Sequence, residues 1–235
     1  MSAQAIELST ATRKHAGPPL WLLAILYTVL FNAGLYPVMA SAARWPSPLE
    51  PAQVVISYFQ TNHAAVLACM FLQLGSTICL GLFCAATVSR LQFLGVRAAG
   101  PWIALFGGFL TVFDAFAASM IGWTMIHPGV ASQPSVLLAL YYLAYAFGGP
   151  GFSMPMGLLI AGVSISAGLS KLLPKWIVFL GLVLAVAGEL SWFHFIIPKM
   201  LFLIPLVRFP GFIWIIAVGF ALPRTRTISP SMASV

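Results

Sequence analysis

The chain has 235 residues, of which 61% are hydrophobic and only 6% are charged, and its mean hydropathy is +1.01. Soluble domains carry about 25% charged residues, so this composition excludes an ordinary soluble protein. The formal net charge of +7 does not indicate nucleic-acid binding, because the basic residues lie in short segments between long apolar runs. That distribution is typical of a membrane protein whose loops set its orientation.

The apolar runs are long and continuous, which predicts membrane-spanning α-helices and not a barrel of alternating strands. We therefore expect an all-α fold, a polytopic bundle of six transmembrane helices forming one domain over residues 18–222. The predicted spans are residues 19–39, 64–88, 102–126, 136–167, 176–197 and 201–222. Residues 1–17 and 223–235 form polar tails, which we expect to be loosely ordered.

The first loop, residues 41–63, is the longest, and we place it on the outer side. Pro51 is well placed to begin a short helix, on which Val54, Tyr58 and Phe59 share one face. Such a helix either lies flat in the outer membrane interface or covers a cavity as a lid. The amphipathic pattern is compatible with both arrangements.

The fourth predicted span would be about 48 Å long as one straight helix, whereas the hydrocarbon core is about 30 Å thick. Its middle, residues 147–155, reads FGGPGFSMP. Pro150 and Pro155 remove backbone donors, and the glycines make unwinding easier. We expect this helix to be broken or strongly kinked at the Gly/Pro segment, and irregular backbone at membrane depth often lines a binding site.

The distribution of Lys and Arg predicts the orientation of the bundle. With both chain ends in the cytoplasm, the outer side holds only Arg44 and Lys199. The inner side holds eight basic residues: Arg13, Lys14, Arg90, Arg97, Lys171, Lys175, Arg224 and Arg226. This asymmetry follows the positive-inside rule.

Five polar residues on five different helices are predicted at a similar depth in the membrane. At 1.5 Å per residue, each lies about 20–25 Å from the cytoplasmic end of its helix. They are Asn32, Gln73, Asp114, Glu189 and Arg208. Tyr145 lies just outside the break in the fourth span. Its hydroxyl could line a cavity as part of the site, although aromatic packing near the outer interface is the favoured interpretation. Ionisable groups in a membrane are costly and usually functional, so we predict a ligand or proton site here.

Two interpretations of this polar layer stay open. Asp114 or Glu189 could act as a general acid or base, and would then be the candidate catalytic residues. Alternatively, Arg208 could simply neutralise one of these acids, with Asn32 and Gln73 as hydrogen-bonding contacts between helices.

No metal or other cofactor is expected. His63, His127 and His194 all lie at outer helix ends, but their spacing matches no metal-binding motif. The chain also contains no phosphate-binding loop, nucleophile elbow or metalloprotease motif.

The proline-rich first loop ends in ISYFQTNH at residues 56–63, and the segment LLPKW occupies residues 172–176. With the layout of the helices, these segments resemble uncharacterised bacterial six-helix multi-pass membrane proteins. The resemblance covers most of the chain and implies a six-helix bundle, without implying a function or a functional residue.

Three functions fit these patterns. The first is a small transporter or ligand-binding bundle for an apolar, amphiphilic or proton-coupled solute. The second is a membrane-embedded enzyme that acts on a lipid or isoprenoid by acid/base chemistry, and the third is an accessory or assembly subunit. The expected partners are membrane lipids and a small hydrophobic ligand, with no nucleic acid, and the expected location is the bacterial inner (plasma) membrane.

Overall fold

The computed structural model describes residues 11–40 and 44–228. Within these residues six helical segments are long and apolar enough to cross a membrane, which confirms the prediction of an all-α integral membrane protein. They are Leu20–Ala40, His63–Phe93, Gly100–Met125, Pro134–Leu169, Lys175–Phe195 and Pro198–Ala221. The largest difference from prediction is the second span, which continues five residues beyond residue 88 before it ends at Phe93.

The α-helices are numbered in chain order as α1 (Leu20–Ala40), α2 (Ala52–Thr61), α3 (His63–Phe93), α4 (Gly100–Met125), α5 (Pro128–Ala131), α6 (Pro134–Ala146), α7 (Phe152–Leu169), α8 (Lys175–Leu190) and α9 (Leu203–Ala221). A π-helical turn, Phe147–Gly151, joins α6 to α7 within the fourth span. Two 3₁₀ turns, Ser191–Phe195 and Pro198–Phe202, connect α8 to α9. Two short strands are β1 (Ala11–Lys14) and β2 (Thr225–Ile228).

The membrane-spanning helices form a ring in sequence order. Helix α1 packs on α3, α3 on α4, α4 on α7, α7 on α8 and α8 on α9, which returns to α1. The fourth span lies furthest inside, because 67% of its most apolar window is buried, against 28–44% for the other spans. Helix α7 therefore also touches α3 and α9.

Glycines let α7 approach its neighbours almost backbone to backbone. A Cβ atom at Gly162 would lie 2.5 Å from the Gly100 carbonyl oxygen and 2.6 Å from the Ala104 nitrogen, both at the start of α4. On α8, a Cβ atom at Gly188 would lie 2.8 Å from the Ser153 carbonyl oxygen. Small residues at helix contacts are the usual basis of association in membranes, where the lipid offers little hydrophobic driving force.

Helix α2 begins after Pro51, as predicted, and packs against the bundle. Its buried face is made by Val55, Ile56, Tyr58 and Phe59. Val54, which the sequence pattern placed on the same face as Tyr58 and Phe59, is exposed at the edge of this contact surface.

Side chains and backbone around α2 fix its position. The Gln60 amide donates to the Ala131 carbonyl oxygen at 2.9 Å, and the Tyr141 hydroxyl donates to the Pro46 carbonyl oxygen at 2.8 Å. The Trp45 and Phe59 rings meet edge-on at 5.2 Å. The first loop therefore covers one end of the bundle.

The first and last described segments, residues 11–14 and 225–228, meet at the opposite end of the bundle. Strands β1 and β2 pair antiparallel, with Arg13 opposite Arg226. The expectation of loosely ordered tails was therefore wrong for residues 11–14 and 225–228, because each strand supplies the other's backbone hydrogen bonds.

Arginines fasten this small sheet to the helices. Arg90, on α3, donates to the Pro18 carbonyl oxygen at 3.2 Å and to that of Leu222 at 3.4 Å. Arg226 donates to the Phe93 carbonyl oxygen at 3.2 Å. Leu222 and Phe93 lie at the C-terminal ends of α9 and α3, where carbonyl groups have no partner within the helix.

His15 is enclosed between the sheet and α3, and it is held in its neutral form. Its Nδ1 accepts a hydrogen bond from the Gly17 amide at 3.1 Å, while Nε2 lies 3.0 Å from the Ser89 hydroxyl. Burial lowers the pKa of His15 below its ordinary value, and the positive charges of Arg90 and Arg224 lower that pKa further. A proton on Nδ1 would also face the Gly17 N–H.

The protein should therefore lose stability in mild acid partly through His15. Because its folded pKa is below the unfolded value of about 6.5, the unfolded chain binds more protons between these two values. The contribution of neutral His15 is fully present above the unfolded pKa and is lost as the pH falls through the folded pKa. Thermal unfolding from pH 8 to pH 5 should show a smaller acid loss for His15→Asn than for wild type. The same change at the exposed His63 should leave the acid loss unaltered; equal losses in all three proteins would contradict the prediction.

Close backbone packing of α7 can be tested with two glycines. Gly162→Ala should destabilise the protein by about 1–3 kcal/mol, because the new methyl group has no space against the start of α4. Gly75→Ala, on α3, meets no atom within 4 Å and should cause no loss. Thermal unfolding in detergent measures both, and equal melting temperatures would show that α7 and α4 pack less closely.

Candidate functional site

The backbone of the fourth span changes its winding at residues 147–151, where three glycines surround Pro150. Proline cannot donate a backbone hydrogen bond, and its ring collides with the preceding turn of an α-helix. The wider π-helical turn accommodates it. A side chain at Gly151 would meet the Ala146 carbonyl oxygen at 2.7 Å, so glycine is required by the space. Turns of this kind occur frequently at functional sites.

Arg208 reaches this turn from α9. One Nη donates a hydrogen bond to the Gly148 carbonyl oxygen. The guanidinium carbon lies 4.7 Å from the centre of the Phe152 ring and 5.5 Å from that of Phe31. These rings attract the cation without neutralising its charge.

Several buried polar atoms near Arg208 have no hydrogen-bond partner within the described residues. The Arg208 Nε is one of them, and the hydroxyls of Tyr27 and Tyr145, with which Arg208 interacts electrostatically, are two more. The Ser153 hydroxyl, one residue beyond Phe152, is also enclosed and unpartnered. Buried polar groups are normally satisfied. Further unpartnered atoms lie elsewhere in the bundle, among them the Ser164 hydroxyl, the Ser166 hydroxyl and the Trp214 Nε1.

The two acidic residues also face the fourth span, each at a glycine. The Asp114 carboxylate, on α4, lies 3.4 Å from the position of a Cβ atom at Gly151. The Glu189 carboxylate, on α8, lies 3.1 Å from the corresponding position at Gly157. In the described part of the chain, neither forms a hydrogen bond or an ion pair.

Thus the three charged side chains converge on one helical span without meeting as pairs. Helices α4 and α8 pack on different sides of α7, so they keep Asp114 and Glu189 apart. Among the described residues, Arg208 forms an ion pair with neither acid. Neutralisation of Arg208 by a carboxylate, one of the two interpretations of the polar layer, is therefore not the arrangement in this structure.

Asn32 and Gln73 take other roles. The Asn32 amide donates to the Thr28 carbonyl oxygen, four residues earlier in its own helix, at 2.8 Å. The Gln73 side chain lies between α3 and α1, 3.4 Å from the position of a Cβ atom at Gly34. The structure therefore gives neither residue a hydrogen bond to the three charged side chains.

Tyr145 lies where the sequence placed it, beside the π-helical turn. Its ring packs edge-on against His194 at 5.7 Å, and a Cβ atom at Gly149 would lie 3.2 Å from the Tyr145 ring. Within the described residues, no three His, Cys, Asp or Glu side chains are grouped to hold a metal ion. The sequence did not single out Tyr27, since a tyrosine in an apolar helix carries no signal of its neighbours.

Two of the surface grooves formed by described residues lie away from this cluster. One lies between the end of α7 and the start of α8 and includes Lys171 and Lys175. The other lies beside α2 and includes Arg44 and Glu50. The cluster around Arg208 lines neither groove.

No family model, curated protein or solved structure matches this chain. The function is therefore inferred from the geometry of these residues.

Asp114 and Glu189 provide a test of whether the charges are structural. Because neither acid has a partner, Asp114→Asn and Glu189→Gln should each melt at or above the wild-type temperature. Breaking a buried ion pair instead costs about 3–5 kcal/mol. Thermal unfolding in detergent at pH 8 distinguishes these outcomes, and a large loss in either variant would indicate a structural ion pair.

Proposed function

We propose that the protein is a small transporter or ligand-binding bundle for an amphiphilic solute whose anionic group binds at Arg208. The observation that carries this proposal is that Arg208, deep in the sixth span, has no carboxylate partner among the described residues. Its contacts are one backbone carbonyl group and two aromatic rings. An anion would supply the missing charge.

The surroundings of Arg208 support a solute with both polar and apolar parts. The Arg208 Nε and the Tyr27 and Tyr145 hydroxyls could donate to a carboxylate or phosphate oxygen. Phe31 and Phe152 offer an apolar surface beside them. Ligand sites in membrane proteins commonly combine a few polar groups with apolar walls.

Asp114 and Glu189 support a role for protons. Each unpartnered carboxylate lies against the fourth span, and a membrane environment favours its neutral form. We infer that they exchange protons when the solute binds or leaves. The remaining layer residues, Asn32 and Gln73, would shape the helix contacts around the site.

We further infer that the π-helical turn is the interruption expected in the fourth span and the point at which this span bends. Both chain ends would then face the cytoplasm, because the small terminal sheet and Arg90 lie at the basic end of the bundle. We propose a bacterial cell membrane as the location; the charge distribution supports the orientation, with the basic end of the bundle in the cytoplasm.

A ligand screen with matched compounds tests this function. Long-chain fatty acids and isoprenoid carboxylates should raise the melting temperature of the reconstituted protein, whereas the corresponding alcohols should not. Arg208→Gln should weaken carboxylate binding by about 10- to 100-fold, the equivalent of a charged hydrogen bond worth about 1.5–3 kcal/mol. Arg97→Gln, which removes an exposed charge elsewhere, should bind as wild type does.

Other results would redirect the assignment. If a bound compound is chemically converted, and conversion stops in Asp114→Asn or Glu189→Gln, the protein is a membrane-embedded enzyme. If no compound binds and Arg208→Gln only destabilises the bundle, the polar layer is structural and an accessory subunit is the better assignment.

A further inference from the structure

A groove of about 570 Å³ opens at the basic end of the bundle, between the end of α7 and the start of α8. Lys171 and Lys175 stand at its charged end. Its walls are apolar and run along α8 through Val178, Phe179 and Leu182. Phe179 is 70% exposed, so this wall faces the space that lipid chains fill around the protein.

Lys171 occupies a backbone conformation that usually requires glycine. Its φ is 53°, and it is the only residue other than glycine with a positive φ among those the structure describes. The end of α7 is a Schellman motif, in which the Leu172 amide donates to Ala167 at 2.8 Å and the Lys171 amide to Gly168 at 3.0 Å. The left-handed conformation is unfavourable for a residue with a Cβ. A lysine here indicates a use for its side chain.

The charge of Lys175 is also in an unfavourable position. Lys175 is the first residue of α8, and the first turn of this helix has no acidic residue to offset the charge. The N-terminal end of a helix carries partial positive charge and attracts anions, so a cation there is repelled. Neither lysine side chain forms a hydrogen bond or ion pair with a described residue. An anion between the two lysines would relieve both the repulsion and the unpaired charge.

We propose that this groove is a binding site for an anionic phospholipid. The phosphate lies between Lys171 and Lys175, near the free amides at the start of α8, and an acyl chain follows the apolar wall to Leu182. The lysines account for an anion and the wall accounts for a chain, so free phosphate would leave half of the groove unused. This site is separate from the cluster around Arg208 and does not depend on the function proposed for it.

Lys171→Gly separates lipid binding from stability. Glycine relieves the strain of the positive φ, so without lipid the variant should melt at or above the wild-type temperature. It should nevertheless bind phosphatidylglycerol about fivefold more weakly, since one lysine near an anionic membrane surface contributes about 1 kcal/mol. Lys175→Gln should give a similar loss, and the two changes together about 30-fold. Lys14→Gln, an exposed lysine on β1, should bind as wild type does.

The binding is measured on the full-length protein in detergent by native mass spectrometry and by lipid-dependent melting temperature. Phosphatidylglycerol should bind and stabilise, whereas phosphatidylcholine with the same chains, and inorganic phosphate, should not. Unchanged phosphatidylglycerol affinity in Lys171→Gly would overturn the proposal. Equal stabilisation by phosphatidylcholine would show that the groove does not select an anionic headgroup and would overturn the proposal. Equal stabilisation by inorganic phosphate would show that the site binds an anion without a lipid chain, which would also overturn it.

Discussion

The close backbone contact of α7 with α4 and α8 determines most of the architecture. Gly162 on α7 and Gly188 on α8 leave no space for a methyl group, so three consecutive spans are held nearly as close as helices can approach. In a membrane, this packing replaces the hydrophobic driving force that holds soluble helices together. The fourth span consequently lies furthest inside the bundle, with most of its backbone packed against neighbouring helices.

The central position of the fourth span explains how so hydrophobic a protein accommodates three charged side chains within its helices. Asp114 and Glu189 each fit beside a glycine of the fourth span, where the missing side chain leaves room for a carboxylate. Arg208 donates a hydrogen bond to a carbonyl group of the π-helical turn, that of Gly148. The fourth span thus provides space for the two carboxylates and a hydrogen-bond acceptor for the Arg208 guanidinium. Since α7 also separates α4 from α8, it prevents the acids from sharing one partner.

The basic end of the bundle uses its cations in two different ways. Arg90 and Arg226 donate to backbone carbonyl groups and fasten the paired chain ends to the helices. A planar guanidinium group with several fixed donors suits such contacts. Lys171 and Lys175 make no comparable contact and remain available to an anion outside the protein. The basic end of the bundle therefore holds both the small sheet that is fastened to the helices and a groove that faces the membrane.

The sequence by itself determines the number of spans, the start of α2 and the placement of charges along the chain, because hydropathy, Pro51 and loop basicity act over short distances. It also indicates the Gly/Pro segment of the fourth span and predicts a layer of polar residues that includes Arg208. It cannot determine which polar groups meet, since that depends on the rotation of each helix and the order of its neighbours. Only the tertiary structure places Arg208 against the π-helical turn with Tyr27, and keeps both acids apart. The pairing of β1 with β2 could not be predicted from local sequence either, because each strand is stabilised by a partner more than two hundred residues away.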